Sequence, residues 1–143
     1  KFLILIYMKN VFSKNDFNSN DGMMTHVWGP SLWHTLHTMS FNYPVKPSEL
    51  DKTNYMNFIY SMEHVLPCRY CRENFKKNLK STKFNKSKMK NRDTFSKYVY
   101  DLHNHINSML GKKTYIAYDE VRNTYENFRA RCTEEPKNKK KKF

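Results

Sequence analysis

The sequence has little glycine and proline for its length. Among 143 residues there are 3 glycines and 5 prolines, whereas aromatic residues make up 15%. So few turn-forming residues argue against a turn-rich β-sandwich, and so many aromatic residues argue against a disordered chain. A chain of this length is sufficient for one domain with a buried core. We therefore predict a single compact helical domain.

Cysteine is also scarce, and there is no long apolar run. The chain has 3 cysteines, an odd number that argues against a fully paired secreted scaffold. The N-terminal stretch "KFLILIYMKN" is too short to span a bilayer, and no small-residue cleavage site follows it. We therefore expect no membrane span and no signal peptide. Since the chain does not begin with methionine, we interpret its start as a fragment or read-through, with Met23 or Met24 as the candidate initiator.

Acidic residues are few compared with basic ones. The chain has 26 Lys+Arg and 13 Asp+Glu, a formal net charge of +13. Such a field attracts polyanions, so a nucleic-acid-binding protein is one hypothesis. Much of the excess charge lies in two Lys-rich stretches, residues 76–92 and 137–142. We interpret these as a mobile connection and a disordered tail with solvated lysines, and we expect no specific nucleic-acid partner.

Apolar residues recur with the helical period in five segments, and no segment alternates with period two for long. The five predicted helices begin at Pro30, after Ser48, at Cys68, near Phe95 and at about Asp119. The sequence therefore predicts an all-α fold, a four-helix bundle with an additional short fifth helix.

The helix boundaries have recognisable signals. Ser48 is predicted to cap the second helix, with Asp51 at the capping-box position, and Pro67 ends it. Gly111 and Lys112 close the fourth helix, as glycine and cations often do. The loops between helices are therefore expected to be short.

The pair Cys68 and Cys71 allows three interpretations. At a helix start, free backbone N–H groups and the helix dipole favour a thiolate, which suits a redox disulfide. Arg69 and Arg72 add positive charge beside the pair. These arginines make two inert core thiols a weaker interpretation, since an inert buried cysteine normally has apolar neighbours.

A zinc site is the third interpretation, and it requires two further ligands. The candidates show neither a second C-x-x-C nor an H-x(3–5)-H spacing, which structural zinc sites usually have. These candidates are His34, His37, His64, His103, His105 and Cys132. Zinc therefore stays an alternative, as part of a zinc-stabilised helical interaction module.

Two predicted helices present imidazole rings toward the core. Trp33 and His37 lie four residues apart on the first helix, and His103 shares a stripe with Asn107 on the fourth. A lone histidine is usually a satisfied core group, but two such stripes suggest a shared ligand. A planar heteroaromatic ligand would fit, because rings can stack on it and an amide can hydrogen-bond it.

Three segments in this order resemble the Erv/ALR family of FAD-dependent sulfhydryl oxidases. They are "WGPSLWHTLHTMSFNYP" (28–44), "FIYSMEHVLPCRYCRENF" (58–75) and "HNHINSMLGKKTY" (103–115). The combination of W-x-x-L-H, P-C-x-x-C and H-N-x-[VI]-N-x-x-L-G-K is far more specific than any one part. The short stretch before the first segment is most similar to the compact members of large DNA viruses.

The resemblance implies a helical bundle that binds FAD at one end and forms a homodimer. It implies that Cys68 exchanges with the substrate thiol and that Cys71 faces the flavin. The residues that match cofactor-contacting positions of the family are Gly29, Trp33, His37, Tyr43, His103, Asn107, Lys112, Tyr115 and Tyr125. No metal is implied. Tyr125 stands where relatives often have tryptophan, and Pro30 where many have arginine.

The implied activity is disulfide formation in protein substrates. Electrons would pass from a substrate dithiol through Cys68 and Cys71 to FAD and then to O2, giving H2O2. The expected partner is a thiol-bearing protein or a thioredoxin-like carrier, in host cytoplasm or in the virion. We assign residues 1–23 to an N-terminal extension, disordered or read-through, 24–131 to the oxidase domain, and 132–143 to a basic disordered tail. Cys132 is expected to be a free thiol.

Overall fold

The computed structural model describes residues 13–113 and 115–132, and these contain six α-helices and one 3-10 turn. The elements are α1 Lys14–Asn18, α2 Thr25–Phe41, α3 Glu49–Val65, α4 Arg69–Ser81, the 3-10 turn Lys86–Met89, α5 Arg92–Met109 and α6 Tyr118–Glu126. The described ranges contain no strand, only an isolated bridge between Gly22 and Cys68. Four longer helices and a short sixth one confirm the predicted all-α bundle. None of the helices in these ranges has the length and apolar character to cross a bilayer.

The cap predicted for α3 is confirmed. The Asp51 backbone N–H donates to Ser48 Oγ at 3.1 Å, and the Ser48 backbone N–H donates to Asp51 Oδ2 at 2.8 Å. This capping box satisfies two N–H groups that the helix itself cannot pair.

The predicted glycine after the fourth long helix is also in place. Helix α5 is followed by Gly111, whose φ of +70° is the left-handed conformation that glycine adopts without strain.

The predicted start of the first helix is wrong. Helix α2 begins at Thr25, five residues before Pro30, which lies inside it. Proline normally ends a helix because it lacks an N–H and its ring crowds the preceding turn. Here the missing bond affects one carbonyl in the first turns, while Trp28 and Leu32 pack against the core on both sides of the proline. Burial of these apolar side chains therefore outweighs the lost hydrogen bond.

The interpretation of residues 76–92 as a mobile connection is also wrong. Helix α4 continues to Ser81, and the 3-10 turn ends at Met89. Three side chains spaced five residues apart, Leu79, Phe84 and Met89, are buried in the core. The lysines between them lie toward solvent. The high lysine content therefore gave no indication that these three side chains are buried in the core.

Helix pairing decides where the site forms. Helix α2 packs against α5, α3 packs against α4, and α6 packs against α2. The shared core includes Leu36, Ile59, Met62, Phe75, Phe95, Val99 and Leu102. Because α4 and α5 both pack within this core, the cysteines at the start of α4 lie beside the rings of α2 and α5.

The described part of the predicted N-terminal extension has local structure. Ser13 Oγ accepts hydrogen bonds from the first turn of α1, and Gly22 lies opposite Cys68 in the isolated bridge. The boundary that we placed at residue 24 stays a prediction. Residues 1–12 and 133–143, which hold most of the predicted extension and tail, lie outside the described residues.

Candidate functional site

Cys68 and Cys71 form a disulfide at the N-terminus of α4. Cys68 is the N-cap residue, with extended backbone angles, and the Cα atoms of the two cysteines are 5.1 Å apart. The Cys71 backbone N–H donates to Cys68 Sγ at 3.2 Å. One of the unpaired amides of the helix therefore points at a cysteine sulfur, which stabilises negative charge there. This arrangement favours the redox interpretation over two inert thiols.

The neighbouring arginines contribute less charge to the sulfurs than the sequence suggests. Arg69 lies 3.5 Å from Glu73 and 3.8 Å from Asp21, and its guanidinium stacks 4.4 Å from the Tyr70 ring centroid. Arg72 donates to the Leu66 carbonyl at 2.6 Å. Each cation already has a partner, so the helix amides carry most of the positive potential at the cysteines.

A cavity of about 130 Å3 adjoins Cys71. Its lining is mainly apolar and includes Gly29, Leu32, Trp33, Leu36, Cys71, Phe75, Asn78, Ile106 and Leu110. Cys68 does not line it, and its backbone forms the isolated bridge to Gly22. Both cysteines are half-buried, so the two sulfurs differ in that Cys71 alone borders the cavity.

Trp33 and His103 stack face to face across α2 and α5. Their ring centroids are 4.0 Å apart with planes at 8°. His37, one turn after Trp33, places Nε2 3.0 Å from His103 Nδ1, so one imidazole N–H donates to the other ring. The two stripes predicted to share a ligand are thus brought into contact.

Burial keeps this histidine pair uncharged. Desolvation lowers the pKa of His37 to about 4, with help from the nearby His103 and His34. Desolvation also lowers the pKa of His103 to about 4, and the Lys112 ammonium adds to the effect. Near neutral pH both rings are therefore neutral, able to stack and to donate or accept one hydrogen bond at each nitrogen.

A second cavity, of about 300 Å3, lies on the other side of this pair. Its lining includes His37, Tyr100, His103, Asn104, Asn107 and Tyr125. Tyr125 stacks on Phe41 with a centroid distance of 5.4 Å, and its hydroxyl lies 3.2 Å from His34 Nδ1. The second cavity is more polar in side-chain chemistry than the first, so the two could accept different parts of one elongated molecule.

Three predicted site residues, Tyr43, Lys112 and Tyr115, line neither of these cavities, and Lys112 is exposed. Tyr43 is fully buried, donates its hydroxyl to the Met89 carbonyl at 3.0 Å, and packs edge-on against Phe95. Its place in the core follows from that buried hydrogen bond. Tyr115 is 73% exposed, and its ring packs edge-to-face with Tyr100.

The sequence-based reasoning missed several residues at the site. Thr25 Oγ1 lies 3.3 Å from Cys71 Sγ, and Asn78 is a buried polar residue in the wall of the first cavity. Asn78 could have been found, because it follows Cys71 by seven residues and so shares its helix face. Thr25 carries no such signal, because it lies 46 positions before Cys71 on another helix.

The zinc interpretation finds no support in the described ranges. They contain no group of three or more histidine, cysteine or acidic side chains that could hold a metal ion. Cys132, one of the proposed ligands, is a free and exposed thiol. Cys68 and Cys71, the two ligands that this interpretation starts from, are joined to each other as a disulfide.

Comparisons with known proteins give a consistent result. The model of the Erv1/Alr family matches residues 30–139. An Acanthamoeba polyphaga mimivirus protein named "Probable FAD-linked sulfhydryl oxidase R368" is 33% identical over 69% of this chain and 68% of its own length. An African swine fever virus protein named "FAD-linked sulfhydryl oxidase" is 32% identical over 69% of this chain and 80% of its own.

Solved structures resemble the fold. The yeast Erv1 core has a TM-score of 0.66 at 20% identity and covers 86% of this chain and 97% of its own. The FAD binding domain of Erv1 from Saccharomyces cerevisiae has a TM-score of 0.65 at 23% identity, covering 73% of this chain and 96% of its own. At these identities the likeness establishes the helical architecture.

Proposed function

The chain belongs to the Erv1/Alr family, and we propose that it is an FAD-dependent thiol oxidase that makes disulfide bonds in protein substrates. The observation that carries the proposal is the asymmetry of the redox pair. Cys71 lines a cavity together with Trp33, whereas Cys68, also half-buried, does not border that cavity. A site of this kind accepts electrons from outside and passes them inward.

The residues present fit the flavin dinucleotide. His37 Nδ1 is buried and has no hydrogen-bond partner among the described residues, so it can bond a ligand atom. Trp33 and His103 stack on each other, so a flat heteroaromatic group would stack on the outer face of one of these rings. Asn107 lines the second cavity, and Lys112, close enough to His103 to lower its pKa, can pair with phosphate. We therefore propose these side chains, with Gly29 and Tyr125, as the cofactor site, and leave Tyr43 and Tyr115 out.

The thiol chemistry follows from the placement of the two sulfurs. A substrate thiolate attacks Cys68 Sγ, forming a mixed disulfide, and the bond between Cys68 and Cys71 breaks with its electron pair on Cys71. A second substrate thiolate attacks the substrate sulfur of the mixed disulfide, releasing oxidised substrate and leaving Cys68 as thiolate. The amide of Cys71, which already donates to Cys68 Sγ, stabilises this leaving group.

The cofactor supplies the chemistry that side chains cannot. When bound, FAD accepts the two electrons from the cysteine pair and delivers them to O2, which yields H2O2. The cavity beside Cys71 has a mainly apolar lining, and His37 and His103 in the adjoining ring cluster are neutral near pH 7.

The partners belong to the proposal as well. We propose a thiol-bearing protein or a thioredoxin-like carrier as substrate and the host cytoplasm or the virion as location, because both named relatives are viral proteins. We also propose a homodimer. Leu50, Phe58 and Val65 are exposed apolar side chains on one side of α3 and offer a surface for it. Sedimentation of the purified protein measures this directly.

Substitution of each cysteine tests the proposed activity. Cys68→Ser and Cys71→Ser are each expected to abolish oxygen consumption with a dithiol substrate, while flavin stays bound, since neither thiol is needed to hold the rings. Cys132→Ser, which changes a free exposed thiol, is the matched control and is expected to turn over normally. Normal turnover by either variant of the pair would show that electrons do not pass through it.

A further inference from the structure

We propose that the hydroxyl of Thr25 is a hydrogen-bond donor to Cys71 and stabilises this sulfur as the leaving thiolate of the first exchange step. This role lies within the thiol oxidase activity proposed above and rests on it. It adds Thr25 to the site, the first residue of α2, which lies just before the sequence segment 28–44.

The contact itself fixes the direction of the hydrogen bond. Thr25 Oγ1 lies 3.3 Å from Cys71 Sγ. Because a disulfide sulfur carries no hydrogen, the threonine hydroxyl must be the donor. The same donor is available when the sulfur becomes a thiolate, and a hydrogen bond to a charged acceptor is roughly twice as strong as one to a neutral acceptor. The contact therefore favours the product of bond cleavage over the disulfide.

A backbone hydrogen bond holds the start of α2 beside the cysteine loop. Two residues before Thr25, the Met23 N–H donates to the Pro67 carbonyl at 2.6 Å. The Thr25 methyl group lies toward Gly29, 3.4 Å from the point where a Cβ there would stand. The Thr25 hydroxyl is thus kept within hydrogen-bond distance of Cys71 Sγ.

The helix termini support the same role. Thr25 is the first residue of α2 and Cys68 caps α4, so the positive ends of two helices meet at the disulfide. In the first step the bond between substrate sulfur and Cys68 forms, the bond between Cys68 and Cys71 breaks, and the electron pair stays on Cys71. Exchange is faster when the leaving thiol has a lower pKa. A donor at Cys71 therefore speeds this step without touching the substrate.

The test compares Thr25→Val, which keeps the shape and removes the donor, with Thr25→Ser, which keeps the donor. The thiolate of Cys71 is titrated through the pH dependence of its alkylation by iodoacetamide, in purified protein that carries Cys68→Ser and Cys132→Ser. We expect Thr25→Val to raise the midpoint of alkylation by about one pH unit. This shift corresponds to the low end of the strength of hydrogen bonds to charged groups, because the site is partly exposed. Thr25→Ser is expected to stay near the parent.

A matched control comes from the same helix. Thr35→Val, ten residues further along α2, removes an exposed hydroxyl that donates to the Ser31 carbonyl. This variant is expected to leave the midpoint of the Cys71 titration unchanged. In protein with both cysteines, Thr25→Val is expected to slow reduction of the disulfide by a small dithiol roughly threefold, from the usual sensitivity of exchange to thiol pKa.

The outcomes separate this role from the oxidase activity. An unchanged midpoint in Thr25→Val, or an equal rise in Thr35→Val, overturns the role of Thr25 even if the parent protein oxidises thiols. A raised midpoint with rescue by Thr25→Ser supports it, because alkylation requires neither flavin turnover nor O2. Absence of thiol oxidation by the parent protein would instead contradict the proposed function.

Discussion

Acidification is expected to destabilise the fold through His37. This imidazole is only 4% exposed, and burial lowers its pKa to about 4, against 6.5 for an unperturbed histidine. Between these values the unfolded chain binds a proton that the folded chain does not, so stability falls as the pH falls through this window. From about pH 7.5 to about pH 5, His37 alone accounts for a loss of about 2 kcal/mol in the free energy of unfolding.

Other titratable groups must be kept apart from His37 in this experiment. His103 and His34 help to lower the pKa of His37, and Lys112 helps to lower that of His103. The carboxylates of Glu49 and Glu126 have lowered pKa values because of their cationic partners, so they titrate below this pH window and do not confound it.

The assay is urea unfolding followed by circular dichroism on flavin-free protein at several pH values. In His37→Gln the loss of stability over this window is expected to shrink by about 2 kcal/mol. His64→Gln, an exposed histidine on α3, is the control and should keep the slope of the parent. Equal slopes in the parent and in His37→Gln would refute the argument that a buried neutral imidazole sets the acid limit.

Two further substitutions test individual contacts. Gly22→Ala should break the bridge to the cysteine loop, because Gly22 has a φ of +88° and a Cβ there would lie 2.4 Å from the Pro67 carbonyl oxygen. Hydrogen exchange at the Met23 amide should then become faster, and unchanged protection of this amide would contradict the prediction. Tyr43→Phe should cost about 1 to 2 kcal/mol, since the buried Met89 carbonyl loses its donor, yet flavin content should match the parent. If Tyr43→Phe folds normally but loses its flavin, Tyr43 is part of the cofactor site after all.

Much of the fold could be predicted because it depends on local signals. The cap at Ser48, the break at Pro67 and the glycine after α5 each act over a few residues, and each lies where the sequence indicates. The start of α2 could not be read this way. Pro30 suits the first turn of a helix, so the sequence places the start there. The helix instead begins at Thr25, and Trp28 in the added turn packs against the core, a tertiary contact.

The Lys-rich connection shows a second limit of composition. Residues 76–92 read as solvated because lysines dominate the count, but the position of a segment is decided by its few apolar residues. Phe84 and Met89 each lie in the core, and the Thr82 and Tyr98 hydroxyl oxygens are 2.9 Å apart in a hydrogen bond between this segment and α5. Such long-range partners are not visible in a window of sequence.

The candidate site was predictable in its chemistry but not in its full geometry. Spacing placed Trp33 with His37 and His103 with Asn107, and the structure brings the two pairs into contact. The contact between Thr25 and Cys71 joins residues 46 positions apart, and no periodicity indicates it. Matching to a family also assigned Tyr43 to the cofactor, whereas its hydroxyl is used in the core.

The absorption spectrum of the purified protein, before and after anaerobic addition of a dithiol, tests the central claim most directly. We expect a yellow protein whose flavin absorption bleaches on addition of dithiol and returns on exposure to air. Cys68→Ser should carry flavin that the dithiol reduces far more slowly, since its route through the disulfide is lost. A colourless protein that takes up no added FAD, or bound flavin that the dithiol leaves oxidised in the parent, would contradict the account.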